Sequence, residues 1–164
     1  MADWIEEGRR APDFALTADD GSTVRLRDLR GLPVVLYFYP KDDTPGCTAE
    51  ACAFRDRKAE IDDVGAVLLG VSPDTAERHA KFRDKHGLNF RLLADPDHKV
   101  AKKYGAWREK TLYGKTSMGI QRSTYLLNAE GRVAKLWRRV QVAGHDEQVL
   151  EALETLKRQG HGTV

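Results

Sequence analysis

A chain of 164 residues that is 41% hydrophobic falls within the usual size of one domain and can bury a core without disulfide staples. With 27 Lys and Arg against 25 Asp and Glu, the formal charge is only +2, too small for a field that would draw in nucleic acid. No apolar run approaches the ~18 residues of a membrane span, and the opening MADWIEEGRRAPDF carries acids where a secretory leader needs an apolar stretch; the expectation is one domain over residues 1–164 in a cytoplasmic protein without nucleic-acid or membrane partners.

In chain order, Phe14 to Thr17 and Thr23 to Leu26 flank the turn-forming ADDG and read as an N-terminal hairpin. Residues 32–40, LPVVLYFYP, form the unbroken apolar run of a central strand covered on both faces. From Thr44 the pattern turns helical, with Pro45 early and Ala49, Cys52, Phe54, Ala59 and Ile61 as the apolar groups, and the helix should end near Gly65. Ala66 to Val71 is a second buried strand; Ser72-Pro73-Asp74 reads as a cap, followed by an amphipathic helix ending at Gly87. These elements make a βαβα unit with parallel strands.

Phe90 to Leu93 reads as a short strand and Asp97 to Tyr104 as a short helix. Gly105 to Gln121 lacks clear periodicity and reads as a long surface loop, in which Trp107 and Tyr113 either line a site or anchor the core. Ser123 to Leu127 and Arg132 to Val140 flank the turn NAEG, and an amphipathic helix from His145 closes the chain, with residues 161–164 frayed. Arg132, Lys135, Arg138 and Arg139 read as one solvated strand face. The histidines at 79, 86, 98, 145 and 161 show no zinc-ligand spacing and read as surface residues.

Cys47 and Cys52 are the two cysteines. A chain of this size needs no disulfide framework, so in a reducing compartment such a pair is catalytic, redox-sensing or inert. Cys47 falls one or two residues into the helix after the central strand, where backbone N–H groups lack intrahelical partners and the positive end of the helix dipole favours a thiolate. Thr44 places a hydroxyl at the helix mouth, able to cap a free N–H or to bond beside the sulfur. Pro40 ends the strand, and Pro45-Gly46 shape the entry to a small polar pocket.

Pro40-x-x-x-Thr44-x-x-Cys47 resembles the active-site motif of the peroxiredoxins. FYPKDDTPGCTAEACAFRD, residues 38–56, is similar to their peroxiredoxin Q, or bacterioferritin comigratory protein, branch, and YGKTSMGIQRSTYLL, residues 113–127, is a second match. The order of elements outlines the thioredoxin fold, so the expected class is α/β, thioredoxin-like, with a central mixed sheet, an N-terminal hairpin extension and flanking helices. The resemblance implies that Cys47 attacks a peroxide and becomes a sulfenic acid, and that Cys52 resolves it as an intramolecular disulfide. It also implies that Thr44 hydrogen-bonds the peroxide, Pro40 shields the pocket, and Arg122 holds the thiolate and polarises the substrate.

Hydrogen peroxide and organic hydroperoxides are the implied substrates. The implied electron donor is thioredoxin or a similar thiol reductant, with glutaredoxin or glutathione as alternatives. The chemistry requires neither a metal nor an organic cofactor; the resemblance implies a monomer, since this branch is often monomeric and one chain already contains both cysteines, and the residues themselves leave the oligomeric state open. Two rival readings differ in chemistry: a disulfide reductase, which would use Cys-x-x-Cys rather than Cys-x-x-x-x-Cys, and a thioredoxin-fold binding module, for which an activated Cys47 has no purpose. Residue by residue, Cys52 could pack as a small hydrophobe, Thr44 could only cap, and Arg122 could be a surface arginine.

Overall fold

The computed structural model describes residues 3–162. Seven strands form one mixed sheet in the order β2-β1-β5-β4-β3-β8-β9. These are β1 (Ala15–Ala18), β2 (Thr23–Arg25), β3 (Val34–Phe38), β4 (Val67–Ser72), β5 (Arg91–Ala94), β8 (Ser123–Leu127) and β9 (Val133–Trp137). β3, β4 and β5 run parallel, whereas β8 pairs antiparallel with β3 and β1 antiparallel with β5. A parallel centre needs both faces covered, which is why β3 is apolar at every position and fully buried.

The alternation of β3 divides the core. Val34, Leu36 and Phe38 join the cluster containing Val100, Ala101 and Tyr104 of α4 (Lys99–Lys103). Val35 and Tyr37 face the other way, toward α1 (Pro45–Asp56), α2 (Lys58–Asp63), α3 (Ala76–His86) and α5 (His145–Gly162). Among the described residues no helix is long and apolar enough to cross a membrane.

Several expectations change. The helix from Thr44 breaks at Arg57 (φ −102°, ψ 2°), whose guanidinium meets Asp146 at 3.0 Å and Glu147 at 2.5 Å on α5. Its buried face in α1 is Cys47, Glu50, Ala51 and Phe54, whereas Ala49 and Ala59 are exposed. The supposed loop 105–121 contains a two-stranded ribbon, β6 (Trp107–Leu112) with β7 (Lys115–Ile120), closed by Tyr113 and Gly114 at φ 52° and 76°. Positive φ at both central residues matches the right-handed twist of the strands. Tyr113 is 96% exposed at the tip, so it anchors no core, while Trp107 stacks on His98 at 3.8 Å between ring centroids.

His79 and His145 are buried rather than on the surface, because each finds polar partners inside. The cap of α3 is Thr75, accepting from Arg78 N–H, since Asp74 turns its carboxylate to the Asp42 N–H at 2.6 Å. At the C-terminus α5 continues to Gly162; residues 163 and 164 of the segment expected to fray lie outside the described residues. Arg132, Lys135, Arg138 and Arg139 are all exposed, but only Lys135 lies within β9.

Candidate active site

The site forms where β3 ends and α1 begins. Pro40 is exposed at the strand exit, and Thr44 takes the N-cap position of α1 with extended backbone (φ −87°, ψ 156°). Its side chain does not cap: the hydroxyl donates to the Lys41 carbonyl at 2.8 Å, leaving oxygen lone pairs free to accept. Pro45 opens the helix, where the missing N–H costs nothing, and Thr48 N–H to Thr44 O at 2.8 Å closes the first turn. The amides of Gly46 and Cys47 therefore point from the helix mouth without an intrahelical acceptor.

Cys47 is 2% exposed, and Arg122 Nη2 donates to its Sγ at 3.3 Å. Arg122 lies between β7 and β8, and its carbonyl accepts from Val140 N–H at 3.1 Å and from the Gln121 side-chain amide at 3.2 Å. Gly46 permits the approach, since a Cβ there would stand 3.2 Å from Arg122 Nη2. The other arm of the guanidinium, Nη1, donates to Glu50 Oε1 at 2.6 Å.

Glu50 joins this cluster and is not among the residues the motif singles out. It is 2% exposed, and burial pushes its carboxyl up to about 7 against the pull of Arg122. Its second oxygen, Oε2, is buried without a hydrogen-bond partner among the described residues, one physical reason the ionised form is disfavoured. The signal was present: positions 47, 50, 51 and 54 follow the i, i+3, i+4, i+7 rule of a helical face, and an acid on that face marks a buried charge. Burial lowers the pKa of Arg122, but Glu50 and Cys47 outweigh it and the net shift is upward, so the guanidinium stays charged.

Lys110, half-buried on β6, has its pKa lowered first by burial and then by the charge of Arg122, with Cys47 acting in the opposite direction. The sulfur thus shares its electrostatic neighbourhood with two cations. Cys52 is free and half-buried on the same helix as Cys47, five residues on. The structure brings Cys47, Arg122 and Glu50 into contact, with Thr44 at the mouth of the same helix; it keeps Cys52 apart from Cys47 by more than a helical turn.

The AhpC/TSA family model matches residues 8–136. Peroxiredoxin Bcp of Bacillus subtilis is 53% identical over 153 residues, covering 93% of this chain and 96% of that protein. The chain belongs to the AhpC/TSA family, in its peroxiredoxin Q or bacterioferritin comigratory protein branch. Peroxiredoxin Q of Xanthomonas campestris superposes with a TM-score of 0.87 at 42% identity, covering 93% of this chain and 97% of that one. A second structure, of the Xanthomonas campestris bacterioferritin comigratory protein, was solved to study its alkyl peroxide reduction; it matches at TM-score 0.87 and 41% identity over 93% of this chain and 98% of its own. The thioredoxin-like peroxiredoxin fold expected from the order of elements is therefore the fold of this chain.

Proposed function

We propose that this thiol-dependent peroxidase reduces hydrogen peroxide and organic hydroperoxides at Cys47 and resolves the product with Cys52, within a single domain spanning residues 1–164. Peroxiredoxins as a family act on peroxides with thioredoxin-type reductants. The observation that carries the assignment of residues is the Cys47 sulfur at a helix N-terminus, 3.3 Å from a guanidinium fixed by Glu50.

In the first step the Cys47 thiolate attacks the O–H oxygen of the peroxide. The S–O bond forms as the O–O bond breaks, Cys47 becomes a sulfenic acid, and the leaving alkoxide or hydroxide takes up a proton to depart as alcohol or water. Negative charge grows on the leaving oxygen, so helix-mouth amides and Arg122 stabilise the transition state more than the ground state, while the Thr44 oxygen, its own proton given to the Lys41 carbonyl, accepts from the peroxide O–H and orients it. Pro40 borders the pocket at the strand exit and limits water at the sulfur. In the second step Cys52 sulfur displaces the sulfenic hydroxyl as water, giving a disulfide. A dithiol donor of the thioredoxin type then reduces that bond and is itself oxidised.

A cytoplasmic setting, where such a cysteine pair can be re-reduced, and a monomeric catalyst carrying both cysteines on one chain belong to the same proposal, with no part for nucleic acid or membrane. Peroxide consumption coupled to thioredoxin and its reductase tests the assignment. Wild type is expected to turn over and Cys47→Ser to lose turnover, because a serine hydroxyl is too basic to supply the anion. Turnover near wild type in that variant would remove Cys47 from the role.

A further inference from the structure

Residues 40–44, in the loop between β3 and α1, are tied to helix α3 by a buried cluster outside the reacting groups. Asp42 is 4% exposed, His79 0% and Tyr39 1%. Tyr39 Oη donates to Asp42 Oδ1 at 2.5 Å, and His79 Nδ1 stands 2.6 Å from Asp42 Oδ2. The other ring nitrogen, Nε2, lies 3.0 Å from the carbonyl of Leu93, which only accepts, so Nε2 carries a proton. Burial holds the Tyr39 phenol well above its ordinary pKa, so it remains a donor.

Around this cluster the loop has two further ties. The Asp42 N–H donates to Asp74 Oδ2 at 2.6 Å, just before α3. Asp43 sits in the left-handed region at φ 61°, a conformation that disfavours a side chain, and Lys85 and His86 of α3 hold its carboxylate at 2.7 and 3.0 Å. Backbone strain of this kind persists only where surrounding contacts over-determine it. The carbonyl of Lys41, in the same loop, accepts from the Thr44 hydroxyl and so sets where that hydroxyl points.

We propose that His79 is a positioning residue for peroxide reduction: through Asp42 it fixes the Pro40–Thr44 loop, and with it the Thr44 hydroxyl and the mouth of α1. The inference rests on the assignment of peroxide chemistry to Cys47. His79 touches neither sulfur nor substrate, so its effect reaches the reaction through the loop. Because the ties lie before Thr44, the loop keeps its place while the helix beyond it opens for Cys52.

Stopped-flow oxidation of reduced protein by hydrogen peroxide, with re-reduction by thioredoxin measured separately, tests this. His79→Phe and Asp42→Ala are expected to slow oxidation of Cys47 between about 10- and 100-fold and to leave re-reduction of the disulfide within about twofold. Asp42→Asn should recover most of the rate, since its amide can accept from Tyr39 and donate to a neutral His79 Nδ1. In a cycle with Thr44→Val, the losses should be less than additive, because both changes disturb one hydroxyl. Where His79→Phe does not fold, Tyr39→Phe and Asp42→Ala carry the same cycle. Oxidation within twofold of wild type in the folded variants, or losses that simply add, would overturn the proposal. Failure of wild type itself to be oxidised at Cys47 would instead overturn the assignment on which it rests.

Discussion

Arg122 divides its guanidinium between a sulfur and a carboxylate, one arm to each, and only a planar fork can serve both at once. Arg122→Ala is expected to slow the reaction of Cys47 with peroxide by about 100-fold or more, and Arg122→Lys to recover little, as read by stopped-flow fluorescence. A rate for Arg122→Ala close to wild type would place the guanidinium outside the chemistry. Glu50 gives a separate, pH-dependent expectation. Its carboxyl rises from 4.5 to about 7 on folding, so between those values the folded chain holds a proton that the unfolded chain has released. That stability is complete below the lower value and is lost as pH rises through the upper, to a ceiling of about 3 kcal/mol. Urea midpoints of wild type should therefore fall from pH 5 to pH 7.5 more steeply than those of Glu50→Gln; parallel slopes would contradict the burial account.

At the scale of elements, α1 sets the conformational problem of the reaction. Five residues of regular helix separate the Cys47 and Cys52 Cα atoms by roughly 8–9 Å and turn the side chains apart by about 140°, whereas a disulfide tolerates about 6.8 Å. The first turns of α1 must open in every cycle. Opening removes Cys47 and Glu50 from the core, but Phe54, 5.0 Å from Tyr37 and 6.0 Å from His145 between ring centroids, and Arg57, bound to α5, can keep the far end docked. Amide hydrogen exchange should accordingly rise in the disulfide form over residues 45–53 and change little beyond Arg57. Equal protection in both redox forms, with the disulfide verified by mass, would exclude the opening.

The elements also show what kind of information a sequence carries. β3 and the start of α1 were legible because an apolar run and Thr44-Pro45 are local signals. The break at Arg57 was not, because its cause lies 89 and 90 residues away, at Asp146 and Glu147. The ribbon β6–β7 escaped for a different reason: its strands bury few side chains, so no apolar alternation marks them, and the turn at Tyr113-Gly114 shows only in the backbone angles of the folded chain.

Across the whole molecule, the site gathers groups that are distant in sequence at the C-terminal end of the parallel strands. Cys47 and Thr44 were visible from their position at a helix mouth, whereas the part assigned to Arg122 came from resemblance alone, since nothing local distinguishes it from a surface arginine. Sequence alone places His79 on the surface, because its partners, Asp42 and the Leu93 carbonyl, meet it only when α3 packs against β5 and the loop. One chain holding both sulfurs also carries an expectation for assembly: specific peroxidase activity should be independent of protein concentration across dilution, with sedimentation showing a monomer. Activity that falls on dilution would indicate a site completed by a second copy.

Trapping the sulfenic acid tests the central assignment most directly. Cys52→Ser protein, treated with one equivalent of hydrogen peroxide and a sulfenic-acid-specific dione, should carry the label on Cys47, while wild type should instead lose two hydrogens and resist labelling. Absence of label in Cys52→Ser, or peroxide consumption by Cys47→Ser with the label on Cys52, would contradict it.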